Sequence, residues 1–471
     1  MTRISENSAG GGLPRTDNDK ARKYVLVICL LAALSGLLTG LDIGIISGVL
    51  GPFGSEFHAS TIQLEWVVGG MLAGDAVGAT FGGFFTQYLG RKATLILAAA
   101  LFFIGASGCA MSGSTSAMIA FRVVVGVGLG LCDLTGPLYL SEIATTSQRG
   151  AMGSLYQLLK TVGIFLAFVS NSFLAFTGSW RAMLMVEALP ALIFMIIFIF
   201  LPRSPRWLMI NGRSEEALET LFSLRETEAE ARQELAAMEE QLKVRQDGWH
   251  LLKNNRNFRR SVGLGMLLMV MQQFAGINII MYYAPKILAA AGFSDQAQMW
   301  CTALIGLLNM LMTLVAVRYA DRWGRKPILY AGYASMAGAM MCMAIILGIG
   351  PSTAGLQLAA LAMILIFVGG FAMSAGPLMW VICSEIQPLA GRNLGLSIST
   401  GTNALSNLLV GTTFLSMMEG LGSAATFWIF AVFNILAIIL LYFFVPETKD
   451  VPLETIEKRL MSGVRLRNLG R

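Results

Sequence analysis

The sequence predicts an all-α membrane protein, with twelve transmembrane helices in two pseudo-symmetric six-helix bundles and a cytoplasmic helical linker between them. Three observations predict it. Of 471 residues, 55% are hydrophobic and only 13% charged, about half the charged share of a soluble domain. Apolar runs long enough to cross a hydrocarbon layer of about 30 Å fall in two sets of six, separated by a charged segment. Two different motifs recur at equivalent places in the two sets.

The first set lies at 24–50, 62–86, 93–112, 115–140, 150–176 and 181–201, the second at 259–285, 298–320, 327–349, 355–383, 394–418 and 424–445. Residues 1–23 are polar, with Gly10 to Gly12 and a basic end at Lys20, Arg22 and Lys23. The run after them exceeds the apolar region of a signal peptide, so 1–23 is read as a flexible tail and the run as the first span. The remaining units are bundles at 24–201 and 259–446, a linker at 202–258 and a tail at 447–471. Alternate loops carry Arg91 and Lys92, Arg149, the linker, Arg322, Arg325 and Lys326, Arg392 and the basic tail. The other connections hold little beyond Arg181 and Lys286. Positive loops stay inside, which places both termini in the cytoplasm of a bacterial inner membrane. In the linker, Ser214–Leu242 mixes acids, bases and leucines at helical spacing, which predicts two or three surface helices. They are read as a solvated connection or as a gating brace.

Several function classes are excluded. The formal charge of +6 sits in loops and termini, where it orients the chain, so no nucleic-acid partner is expected. Six cysteines lie mostly in apolar runs without CxxC, and His58 and His250 are isolated. No disulfide framework, zinc site or hydrolase triad is expected. No GxxxxGK[ST] occurs, so neither ATP nor another cofactor is expected. The chain is read as no enzyme, and as a monomer in the bilayer.

The repeats give the organisation. Leu89-Gly-Arg-Lys92 follows the second run and Asp321-Arg-Trp-Gly-Arg-Lys326 the eighth; Gly136-Pro-Leu-Tyr-Leu-Ser-Glu142 ends the fourth and Gly376-Pro-Leu-Met-Trp-Val-Ile-Cys-Ser-Glu385 the tenth. Glu142 precedes Arg149, and Glu385 precedes Arg392, by seven residues each. Two motifs in register argue for duplication, the mark of an alternating-access carrier. Glu142 and Glu385 face Arg91, Arg149, Arg325 and Arg392 from neighbouring loops. As a partly buried network these charges bias a two-state equilibrium; singly, they only set topology.

Polar residues inside the apolar runs locate the chemistry. Met271 to Pro285 carries Gln272, Gln273, Asn278, Tyr282 and Tyr283. Uncharged donors and acceptors at membrane depth need a polar partner, here a neutral, hydroxyl-rich ligand. Gln273 and Asn278 are five apart, roughly 140° around a straight helix. Both face one ligand only if the helix bends or unwinds, which Gly276 permits. Asp42 lies among apolar residues and glycines, where a carboxylate binds and releases a proton. Arg122 is its partner by depth.

These residues resemble a sugar porter of the major facilitator superfamily, from about residue 24 to the tail. The resemblance rests on Gly40-Leu-Asp-Ile-Gly44, the two Gly-Arg-Lys turns, the 136–142 and 376–385 motifs, Gln157, Pro202-Arg-Ser-Pro-Arg-Trp207, Gln272 to Asn278, Trp380 and Val445-Pro-Glu-Thr-Lys449. Residues 371–389 and the ending Leu466 to Gly470 are most similar to bacterial arabinose:proton and galactose:proton symporters. The resemblance implies the major facilitator fold and import of an arabinose- or galactose-type monosaccharide with a proton. It implies that Asp42 and Arg122 couple the proton and that Gln157, Gln272, Gln273, Asn278, Asn309, Trp380 and Asn403 bind the sugar. Amides donate and accept, which suits hydroxyls in either role, and an indole stacks on a pyranose face. Tyr282 and Tyr283 are expected to close the outer side. A uniport facilitator and a membrane sensor are the alternatives; Asp42 argues against the first and the short tail against the second.

Lys160, Asp133, Asp75 and Ala404 depart from those symporters, and Gln87 stands where the superfamily motif often has an acid. Two readings of Lys160 stay open. It pairs with Asp133 at similar depth, or it meets an anionic substrate such as a sugar acid; a polyol is a further candidate. Ala404 lacks an indole found in the symporters, which enlarges the pocket.

Overall fold

The computed structural model describes residues 18–145, 149–243, 248–351 and 353–470, without the side chains of 18–21, 149, 241–243 and 319–322. The first six helices are α1 (Asn18–Phe57), α2 (Thr61–Tyr88), α3 (Arg91–Ala110), α4 (Thr115–Ile143), α5 (Arg149–Leu174) and α6 (Trp180–Ile199). The linker forms α7 (Pro205–Ile210), α8 (Ser214–Leu224), α9 (Glu228–Lys243) and α10 (Gly248–Asn254). Ser214–Leu242 holds two of them, α8 and α9, within the two or three expected there; α7 and α10 flank that stretch. Then follow α11 (Arg256–Phe274), α12 (Ile277–Ala290), α13 (Asp295–Trp323), α14 (Arg325–Ile349), α15 (Ala354–Met373), α16 (Ala375–Glu385), α17 (Arg392–Gly420), α18 (Ser423–Phe444) and α19 (Leu453–Met461).

Among the described residues, eleven spans are long and apolar enough to cross a membrane, with α11–α12 and α15–α16 each counted as one. The twelfth, α17, has 29 residues, ample length at about 1.5 Å each. It falls short in apolarity because Asn403 and Asn407 on it face the interior. Polar caps set many starts. Ser60 and Gln63 form a capping box on α2, and Ser114, Ser179 and Thr353 accept from the first turns of α4, α6 and α15.

The duplication extends to the backbone. Gly90 before α3 has φ +85° and ψ 162°, and Gly324 before α14 has φ +87° and ψ 154°. That region is open essentially to glycine alone, which accounts for the glycine of both Gly-Arg-Lys turns. The turns lie on one face of the bundle, together with α7–α10 and α19; this is the linker face. Along the boundary between halves, α2 packs on α17, α5 on α13 and α1 on α12.

Two spans are broken. α11 ends at Phe274, and Gly276, at φ +100°, starts α12. The bend required by the Gln273–Asn278 spacing is present. α15 stops at Ser374, a break not foreseen. Pro377 explains it, since its ring removes a helical N–H and crowds the carbonyl four residues back.

Candidate functional site

A cavity of about 190 Å³ lies between the halves, level with the two breaks, and all seven expected sugar-binding residues line it. Its wall from the second half is a chain of amides. Gln272 Nε2 donates to the Ala375 and Gly376 carbonyls, in the first turn of α16, at 2.9 and 3.1 Å. Asn403 Nδ2 donates to Gln272 Oε1 at 2.9 Å, and Gln273 Nε2 to Asn403 Oδ1 at 2.9 Å. Asn278 Nδ2 donates to Gln273 Oε1 at 2.7 Å and to Asn407 Oδ1 at 2.8 Å. These amides therefore bond helix to helix and face the cavity at once. Asn407 was not singled out in the sequence, because α17 is rich in Ser, Thr and Asn and gives no spacing signal.

The side chains of Gln157, Asn309 and Trp380 make no hydrogen bond among the described residues while lining the same cavity. Trp380 is 39% exposed, with room for a ligand against its ring. Tyr282 lines the cavity toward the end opposite the linker face. Tyr283 lies behind it, buried, and donates to the Gly411 carbonyl at 2.7 Å.

The wall from the first half is charged. Lys160 Nζ donates to Asp133 Oδ2 at 2.8 Å, and the Tyr156 hydroxyl to Asp133 Oδ1 at 2.6 Å. The Lys160–Asp133 pair expected from depth therefore forms. Asp75 lines the cavity too. Ala404 is buried and does not itself line the cavity.

Behind that wall, Asp42 and Arg122 form an ion pair in which both side chains are fully buried. Arg122 Nη1 and Nη2 donate to the two Asp42 oxygens, the second at 3.2 Å, and Nε donates to the Val67 carbonyl at 3.1 Å. Glu187 of α6 is also fully buried, faces the pair, and has no hydrogen bond on either oxygen among the described residues. Sequence reasoning passed over Glu187, although a lone acid in an apolar run is itself a functional signal.

On the linker face, Arg91 holds Glu142 through two bonds of 2.8 and 2.7 Å, and Ser204 of the linker donates to Glu142 at 2.5 Å. In the second half Arg325 reaches Glu385 at 3.4 Å. Glu447 instead caps α14, accepting from the Arg325 and Lys326 backbone N–H groups at 3.1 and 2.9 Å. Arg392 does not meet Glu385; its guanidinium points to the Gln387 carbonyl at 3.4 Å, because the turn at 389–391 carries it past the carboxylate. The side chain of Arg149 lies outside the described residues.

Hydrogen bonds between the halves lie at the opposite face. Glu65 accepts from the Ser416 backbone N–H and hydroxyl at 2.7 and 2.6 Å, and Ser172 donates to the Met299 carbonyl at 3.0 Å.

A family model described as "Sugar (and other) transporter" matches residues 28–460. The galactose-proton symporter of Escherichia coli (strain K12) is 49% identical over 444 residues, 94% of this chain and 96% of its own. The arabinose-proton symporter of the same strain is 46% identical over 472 residues, 99% of this chain and 100% of its own. The xylose transporter XylE from E. coli, in a partially occluded inward open conformation, is 30% identical with a TM-score of 0.79, covering 90% of this chain and 99% of that one. A crystal structure of the D-xylose-proton symporter gives 0.74 at 29% identity over 90% and 99%.

Proposed function

The chain belongs to the sugar transporter family, and we propose that it imports an arabinose- or galactose-type pentose or hexose together with a proton by alternating access. It is a multi-pass membrane transporter and not an enzyme. The observation that carries the reading is the placement of the buried Asp42–Arg122 pair directly behind a cavity lined by neutral amides. The amides and Trp380 hold the hydroxyls and one face of the sugar; Asp42 carries the proton.

The linker face is cytoplasmic, in a bacterial inner membrane, and the bundles at 24–201 and 259–446 rock against each other. Bonds between halves at the opposite face, and likeness to an inward open relative, support reading this conformation as closed to the outside. Tyr282 and Tyr283 form the outer gate, with the break at Gly276 as its hinge. The Glu142 and Glu385 networks hold the inner side when it closes. Asp42 is ion-paired here, as after proton release. Protonation from outside frees Arg122 and lets the loaded carrier turn. One proton crossing 100 mV supplies about 2.3 kcal/mol, a factor of roughly 50 in accumulated sugar at 1.4 kcal/mol per tenfold.

The sugar-acid alternative loses support, because Lys160 is already bonded to Asp133 and faces Asp75. That wall is net negative and repels a carboxylate. The uniport alternative is tested directly. Asp42→Asn in proteoliposomes is expected to abolish uphill accumulation while sugar counterflow persists. A variant that still concentrates sugar overturns the assignment of Asp42.

A further inference from the structure

Asp75 is the charged group of the cavity that the reading above does not use. It sits near the middle of α2 and lines the cavity beside the sugar-binding amides. Among the described residues it has no hydrogen bond and no ion pair. The groups that face it come from every side. α4 presents Asp133, α5 presents Lys160, and α1 places Asp42 within electrostatic reach. α12 presents the Tyr282 hydroxyl. α17 offers only the neutral Asn403 and Asn407, and α3 carries its charges, Arg91 and Lys92, at its linker-face end.

Lys160 is the one cation in this set, and its ammonium is bonded to Asp133, whose other oxygen takes the Tyr156 hydroxyl. The wall therefore holds one negative charge in excess. Water supports that charge while the cavity is open. Closing the cavity around a neutral sugar removes the water and brings no counter-charge, and an isolated carboxylate so desolvated neutralises rather than stay charged.

We propose that Asp75 is a second proton-binding site, inside the sugar cavity, so that each neutral sugar enters with two protons. The proposal rests on the reading of the chain as a proton-coupled sugar symporter. One proton rides on Asp42, whose re-pairing with Arg122 the empty carrier needs in order to return, and the other on Asp75, so Asp42→Asn stops net accumulation altogether while Asp75→Asn only lowers it. The second arrives from the outer solution before the cavity closes around the sugar. It leaves to the cytoplasm when water re-enters from the linker face.

The test is the proton-to-sugar ratio of the full chain in proteoliposomes, read from the membrane potential that just nulls sugar flux against a fixed sugar gradient. The expected ratio is two for the unmodified protein and one for Asp75→Asn. The nulling potential then doubles in the variant, and the limiting accumulation at 100 mV falls by about 50-fold. A ratio of one in the unmodified protein overturns the proposal, whatever the variants do. A ratio of two that Asp75→Asn leaves unchanged also overturns it. If Asp75→Asn does not fold, Asp75→Ala takes its place. Proton uptake on sugar binding to the purified unmodified protein, read with a pH indicator, gives an independent reading. A change in proton uptake on closure is expected, and sugar binding with none overturns the proposal. Sugar movement with no proton flux would instead sink the symport reading itself, a distinct outcome.

Discussion

The two halves repeat one architecture but divide the chemistry between them. The second half lines the cavity with Gln272, Gln273, Asn278, Asn403 and Asn407, bonded in an uncharged chain. The first half contributes Asp75, Asp133 and Lys160 and, behind them, Asp42, Arg122 and Glu187. The linker-face motifs diverge as well. Arg91–Glu142 is bidentate, nearly buried and backed by Ser204. Arg325–Glu385 is a longer contact, and Glu385 Oε2 has no hydrogen bond among the described residues. Duplication preserved positions, and each half was then free to specialise. The second half supplies all the expected sugar-binding side chains but Gln157, and the first half holds the charge.

Substitutions that separate those two jobs test the comparison. The largest effect is expected from Asp42→Asn, which leaves sugar affinity near its starting value while the accumulation ratio falls to unity; substrate binding and uptake measured on one preparation check it. Loss of binding as well would mean that the division of labour fails. Next is Arg91→Ala. It leaves Glu142 buried beside Ser204 without its cation, a loss of about 3–5 kcal/mol for a broken buried pair, read as a lower melting temperature in detergent. The equivalent Arg325→Ala should lose no more than about 1 kcal/mol, the scale of a partly solvated pair. Equal losses would mean that the two motifs differ only in side-chain rotamer.

In the amide wall, Gln273→Ala orphans the Asn403 carbonyl and an Asn278 N–H. At about 1–3 kcal/mol for groups left unsatisfied, sugar affinity is expected to weaken by roughly 5- to 150-fold with coupling intact. Counterflow against a sugar dilution series reads this. A variant with unchanged affinity but altered proton coupling would reverse the assignment of the two halves. The smallest effect is expected from Glu65→Gln. It weakens a charge-assisted bond between halves worth about 1.5–3 kcal/mol, spread over two conformations of similar stability. Spin-label distances across the opposite face should show a larger outward-open fraction; no change would remove Glu65–Ser416 from the gate.

The sequence makes the membrane helices and most of the cavity readable for one physical reason. Polar residues are expensive inside apolar runs, so Asp42, Gln157, Gln273 and Asn309 stand out wherever they occur. The break at Gly276 was readable too, because two amides five residues apart cannot share one ligand on a straight helix. Asn407 was not, since it lies in a helix whose polar residues carry no distinguishing spacing. The break at Ser374 had its cause in plain view at Pro377, but proline near a helix start is ordinary. Arg392 shows the limit of motif symmetry. Its spacing from Glu385 copies that of Arg149 from Glu142, yet the turn at 389–391 aims it at a backbone carbonyl instead. The tail helix α19 was passed over although Leu453, Ile456 and Leu460 recur at helical spacing; it is held by Ile456, Leu460 and Leu469.

The amide chain has a consequence for speed. Gln272, Asn403, Gln273, Asn278 and Asn407 already satisfy one another without a ligand. An arriving sugar must therefore exchange hydrogen bonds rather than add them, and the net gain per hydroxyl is small. A departing sugar strands no donor of this chain, because it re-forms as it goes; Gln157, Asn309 and Trp380 alone among the expected sugar-binding side chains are left open. Such a site gives up strength of grip for a short residence time. For a protein whose output is molecules delivered per second, a pocket that heals itself on emptying favours the release step over the capture step.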